Sequence, residues 1–336
     1  MPAEFRETPM PSRIEIGLHT YCNRVCPYCH HSYENTRAQH GSHIMDIDLV
    51  HRIVDDALGR YSQIIGDNQG FHLGLYPEFF SEPLLPNRWN GAPHDFRKML
   101  LEFIGYVDAR SKGLSGRKIE VQLITNGDFL KIPDYHEVVD PFENVDISFC
   151  ITNHDLVVPK SELEHYWQNP RETVKPHILE LFDHLREHTR LGSMFHKVLR
   201  EGVVLYQPVL DDFAEGLRER YVERLRKMAW MHEICNRMGM VDYPPAQEHP
   251  LFCDGSMGMS MLVLHDGKVA GCAHDILAKR QIGDLTVDTI EQIWTRDSER
   301  RRKLREQWSK SPDGRKFDDS WCHECNYGKN PNVEPE

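Results

Sequence analysis

Cys22, Cys26 and Cys29 follow one another with the spacing C-x3-C-x2-C, immediately after an alternating run, Arg13-Ile14-Glu15-Ile16-Gly17-Leu18. Three thiolates on one short loop can hold three corners of an iron–sulfur cube and leave the fourth iron without a protein ligand. An iron of that kind can bind a small molecule, so the spacing points to chemistry rather than to electron storage. The same three residues could also hold zinc. Four further cysteines, Cys253, Cys272, Cys322 and Cys325, gather near the other end, and Cys150 and Cys235 stand alone between the two groups. Nine cysteines in a cytosolic chain read as metal ligands or reactive thiols rather than disulfides.

The rest of the chain is consistent with a cytoplasmic protein. Its 336 residues are 40% hydrophobic and 27% charged, ordinary for a globular protein. A net charge of −12 with no basic tract argues against nucleic acid as a partner. No apolar run approaches the roughly 20 residues that span a bilayer, and the polar start, Met1 to Ser12, has no signal-peptide core.

Strand-like stretches at 13–18, 71–75, 118–124, 145–151, 202–206 and 240–243 alternate with helical patterns at 46–61, 96–112, 178–190 and 217–238. Asp46 is placed to cap the first helix. The alternation predicts an α/β fold, a partial (β/α)6 TIM-like barrel with a parallel sheet, occupying residues 13–245 after a tail of 1–12. In such folds ligands sit at the carboxyl ends of the strands, where the cysteine loop, Ser81-Glu82-Pro83, Thr125-Asn126-Gly127 and Cys150 all fall. From about Leu251 the pattern changes. A hairpin turning at Asp266-Gly267 and a charged helix over 290–308 predict a small α+β unit, 251–328, before a tail of 329–336.

The cysteine loop, with Tyr28 before its last cysteine and a strand before its first, is similar to the cluster loop of radical S-adenosylmethionine (SAM) enzymes. That resemblance implies a [4Fe–4S] cluster on Cys22, Cys26 and Cys29, with SAM chelated by the open iron and cleaved to a 5′-deoxyadenosyl radical. It further implies SAM contacts from Tyr28, Ser81, Glu82, Asn126 and Ser148. Here Phe80-Ser81 replaces the glycine pair of the family's Gly-Gly-Glu-Pro segment. The pattern Cys253 … Gly267-x4-Cys272 … Cys322-x2-Cys325, with Ile282-Gly283-Asp284-Leu285 and Ile290-x2-Ile293-Trp294 between, resembles the short twitch form of the SPASM extension. It implies a second, fully ligated auxiliary [4Fe–4S] cluster, against the alternative of a four-thiolate zinc site.

A strand over 145–151 puts Ser148 and Cys150 on one face, so Cys150 is a candidate hydrogen-atom donor, and Cys235 a second one. Each could equally be a small buried hydrophobe. Twitch-type enzymes acting on aminocyclitols suggest, by resemblance, oxidation of a hydroxyl-bearing carbon in a small polar metabolite (a sugar, aminocyclitol or nucleoside-like natural product). Flavodoxin or ferredoxin would be the external reductant. The alternatives are a radical epimerase using Cys150 or Cys235, a peptide-modifying maturase, and a non-catalytic zinc-binding module. The barrel begins near residue 13, an expectation that disfavours a peptide-recognition domain ahead of it.

Overall fold

Alternating apolar residues set the register of the central strands. In the computed structural model, which describes residues 8–24, 43–65, 71–77, 81–87, 94–114, 119–158, 172, 174–185, 194–200, 203–208, 260–272, 275 and 278–310, they form one nine-stranded sheet. Its first five strands are β1 (Arg13–Ile16), β2 (Gly74–Tyr76), β3 (Ile119–Thr125), β4 (Val145–Val158) and β5 (Met194–Arg200), each parallel to the next. The sheet does not close. β6 (Val203–Pro208) turns back antiparallel on β5 and forms one edge. The sequence pattern places a single strand here and passes over β5. The sixth strand expected at 240–243 and the helix at 217–238 lie outside the described residues.

One face of the sheet is apolar. Ile14 pairs with Leu75, Leu75 with Val121, and Val121 with Ile147, a row of buried side chains across four strands. Helices α1 (Ile47–Ile65), α2 (Phe96–Ser111), α3 (Ile132–Val139) and α4 (Pro176–Leu185) contribute to the same core. On α1 the buried positions Leu49, Val50, Ile53, Val54, Ala57, Leu58, Tyr61 and Ile64 recur at helical spacing. The Asp46 carboxylate accepts from the Asp48 and Leu49 amides, the expected N-cap.

The C-terminal hairpin extends this sheet. β7 (Ser260–Val263) lies parallel to β1, and β8 (Lys268–Ala270) and β9 (Gln281–Asp284) follow antiparallel. The sheet is therefore continuous between the two units drawn from the sequence. At the hairpin turn Gly267 has φ +87°, and a Cβ there would lie 2.9 Å from Thr286 Cγ2. The charged helix expected over 290–308 is two helices, α5 (Ile290–Arg296) and α6 (Ser298–Lys310). They break at Asp297, whose amide still bonds back to Ile293 O while its carboxylate accepts from Arg300 and Arg301. Trp294 is buried under the Arg301 guanidinium, 3.6 Å from the ring centroid, and its Nε1 donates to Thr8 O. No helix of the described residues is long and apolar enough to cross a membrane.

Candidate active site

Three strand ends meet at Glu82. The Glu82 amide donates to Tyr21 O, one residue before Cys22, which ties the segment after β2 to the segment after β1. Its carboxylate, 1% exposed, accepts from Thr125 Oγ1 (2.6 Å), the Asn126 amide (2.8 Å) and the Leu84 amide (3.1 Å), which adds the end of β3. Burial pushes its pKa up to about 7, against the pull of those three donors. Beside it, Ser81 Oγ is shielded from solvent and has no hydrogen-bond partner among the described residues.

The turn after β3 is built for close approach. Gly127 has φ +75°, and a Cβ would sit 2.9 Å from Ile151 Cγ2. The turn closes through Gly127 N to Thr125 Oγ1 and Asp128 N to Asn126 Oδ1. Asn126 Nδ2 then donates to Asn23 Oδ1 (2.7 Å), and Asn23 Nδ2 donates to Asp128 Oδ2 (2.8 Å). Arg24 forks onto the same carboxylate at 2.6 and 2.7 Å, and Lys175 Nζ reaches it at 2.6 Å while also donating to Asn126 O. Although burial alone would raise it, these hydrogen bonds hold the Asp128 carboxyl well below the usual carboxylate range. Cys22-Asn23-Arg24, the start of the cysteine loop, is thus clamped to the end of β3. Asn23, Arg24, Asp128 and Lys175 were not singled out from the sequence; only the Thr-Asn-Gly turn beside them gave a signal.

The second face of the sheet is polar. Its rows run Arg13–Gly74–Glu120, Glu15–Tyr76, Gln122–Ser148 and Ile124–Cys150. Arg13 bonds Glu15 at 2.8 Å and lies 4.3 Å from the Tyr76 ring centroid. Glu120 accepts from Ser148 Oγ (2.7 Å) and pairs with His72 Nε2 (3.0 Å). Burial opposes its ionisation, yet His72 and Ser148 hold its carboxyl below the usual range. Ser148 is therefore bonded within this network, 2% exposed, and also near Gln122 Nε2 at 3.4 Å. Cys150 shares the face one pair nearer the carboxyl ends, buried and not in a disulfide.

At the other cysteine group, Cys272 leaves β8 on a loop closed from several sides. Gly271 N donates to Arg280 O, and Asp275 N to Cys272 O. Fully buried Asp275 accepts from the Lys279 and Arg280 amides, and Arg300 Nη2 donates to Gly271 O at 2.8 Å. Ala270 pairs with Leu262, which pairs with Glu15, and β8 runs opposite to β1. The hairpin thus delivers Cys272 toward the amino end of β1, whereas Cys22 follows its carboxyl end. Cys22 and Cys272 are both partly exposed, and neither is in a disulfide. Cys26, Tyr28, Cys29, Cys235, Cys253, Cys322 and Cys325 lie outside the described residues.

Residues 253–326 match the family model SPASM, an iron–sulfur cluster-binding domain, and that span encloses all four C-terminal cysteines. The fold is similar to the crystal structure of BtrN in complex with AdoMet and 2-DOIA, with a TM-score of 0.50 and 16% identity over 96% of this chain and 97% of that one. Weaker likenesses include polyhistidine-tagged anSMEcpe with bound AdoMet (TM-score 0.45, 13% identity, 94% and 91% covered). Another is Streptococcus suis SuiB bound to precursor peptide SuiA (0.42, 12%, 95% and 70%). No curated protein matches the sequence. The chain has the open partial-barrel fold expected from its resemblance to radical SAM enzymes. Its C-terminal part is a SPASM iron–sulfur cluster-binding domain.

Proposed function

We propose that this protein is a radical SAM dehydrogenase acting on a hydroxyl-bearing carbon of a small polar metabolite. The observation that carries the reading is the clamp of Cys22-Asn23-Arg24 onto Glu82 and the Asn126–Asp128 turn, three strand ends drawn together beside a cysteine loop. Cys22, Cys26 and Cys29 would hold the first [4Fe–4S] cluster, and Cys253, Cys272, Cys322 and Cys325 the second. When bound, these groups and SAM supply a 5′-deoxyadenosyl radical to take a hydrogen atom, and an acceptor for the electron released as the carbinol carbon becomes a ketone.

The chain's own residues set the geometry. Glu82 spends its carboxylate on Thr125, Asn126 and Leu84, so its part is to shape the backbone against which SAM lies. Ser81 Oγ, buried beside it without a protein partner among the described residues, is the group left to bond the cofactor's polar end. Ser148 holds Glu120 and Gln122 in place and acts on SAM, in this reading, only through that polar face. The polar lining of Arg13, Glu15, Tyr76, Glu120 and Gln122 suits a hydroxylated substrate better than an apolar one. An external one-electron donor, flavodoxin or ferredoxin, would reduce the first cluster.

Epimerisation is the second reading, and the placement of Cys150 favours it. Its thiol follows Ser148 on the polar face, where it could return a hydrogen atom to a substrate carbon. Turnover in deuterated water separates the two. Ketone formed without solvent deuterium at carbon is the dehydrogenase result. Deuterium at the substrate carbon that disappears in Cys150→Ala overturns it in favour of epimerisation.

A further inference from the structure

Two histidines from different helices meet end to end. His136 of α3 and His184 of α4 have their Nε2 atoms 2.9 Å apart, with ring planes at 89° and ring centroids 5.1 Å apart. The other ring nitrogen of His136, Nδ1, lies 2.9 Å from Asp140 Oδ2. An ionised carboxylate can only accept, so Nδ1 donates to it and Nε2 is the nitrogen turned to His184, in a hydrogen bond whose shared hydrogen a metal would displace. A carboxylate that fixes a histidine tautomer in this way is the usual outer support of a metal-bound imidazole.

From this geometry we propose that His136 and His184 form a binding site for a divalent transition metal of the zinc class, with Asp140 as the residue that orients His136. The spacing suits the metal. Zinc bound tetrahedrally at roughly 2.0–2.1 Å from each nitrogen sets ring centroids about 5.2 Å apart, close to the 5.1 Å present. The nitrogens now face each other as a hydrogen-bonded pair, and turning each ring by roughly 35°, which opens them from 2.9 Å to about 3.4 Å, would aim both at one metal without moving either helix. The His136 and Asp140 side chains are 32% and 56% exposed, so the remaining coordination positions are open to water. A metal here would pin α3 to α4. Lys175, just before α4, and His177, in its first turn, hold Asn126 O, Asp128 and Gly127 O beside the start of the cysteine loop. The site stands whether or not the proposed reaction is correct.

The test is calorimetric titration of the cluster-loaded protein with zinc chloride. Wild type should bind one equivalent more than His136→Gln or His184→Gln, and Asp140→Asn, which keeps both ligands, should bind it tenfold to hundredfold more weakly. Zinc taken up by cysteines would persist in all three variants and cancel in the comparison. Zinc should also raise the melting temperature of wild type but not of His184→Gln. Identical isotherms for wild type and His184→Gln would overturn the site.

Discussion

Glu82 shows how one side chain can be committed by its surroundings. Its folded pKa, about 7, stands above the ordinary 4.5 because burial penalises the charge. The stability this contributes is fully present below about pH 4.5 and is lost as pH rises through 7, about 3 kcal/mol in all. The apparent melting temperature of wild type should therefore fall across that window. Glu82→Gln should remove the slope and lower stability by about 1–3 kcal/mol near pH 4.5, because an amide NH2 would face the donors of Asn126 or of Thr125 and Leu84, a deficit that shrinks as pH rises through 7 and the wild-type carboxyl ionises. A Glu82→Gln variant that keeps the wild-type slope would contradict this account of the carboxyl. Asp128 has the opposite sign: its depressed pKa gives stability present above about pH 4 and lost as pH falls. Asp128→Asn removes the charge that Arg24 and Lys175 share, and it should lower iron content toward half, through the first cluster, while leaving the second. Full iron in that variant would show that the clamp does not support the loop.

Among the elements, the SPASM unit is held by tight packing. A Cβ on Gly283 would lie 2.4 Å from Ile293 Cγ1, so β9 can lie against α5 only with glycine there. Gly283→Ala should cost about 1–3 kcal/mol or more by overpacking, read as a lower melting temperature. The motif Ile282-Gly283-Asp284-Leu285 was visible in the sequence, but that it forms an edge strand was not, because four residues give no period. β5 was hidden for a different reason: Met194-Phe195-His196-Lys197-Val198-Leu199-Arg200 does not alternate apolar and polar residues, and its parallel partners, Phe149 to Val158, lie far back in the chain. The α5–α6 break was missed for another reason: Asp297 keeps helical backbone, and only its bonds to Arg300 and Arg301 mark the joint. Strands β1, β3 and the 260–270 hairpin were readable because alternation and an Asp-Gly turn are local signals. So were Cys22, Glu82 and Asn126, which motif spacing selects. The residues that clamp them, Arg24, Asp128 and Lys175, come from segments far apart in the chain, and no spacing joins them.

At the level of the whole molecule, Cys22 and Cys272 both hang on one continuous sheet. α1 fixes their relation: the Asp56 carboxylate accepts the Ile290 amide at 2.6 Å, and Arg60 pairs with Glu291 at 2.9 Å, docking α5 on the barrel helix. Cys22 lies beyond the carboxyl end of β1 and Cys272 toward its amino end, so these two cysteines belong to opposite ends of one strand. The central claim is that the first cluster works on SAM. The most direct measurement is anaerobic reconstitution followed by reduction with SAM present and assay of 5′-deoxyadenosine. The account predicts a brown protein with about eight irons, as two four-iron clusters require, that releases 5′-deoxyadenosine, with release abolished in Cys26→Ala. A colourless, zinc-bound protein that leaves SAM intact would contradict it.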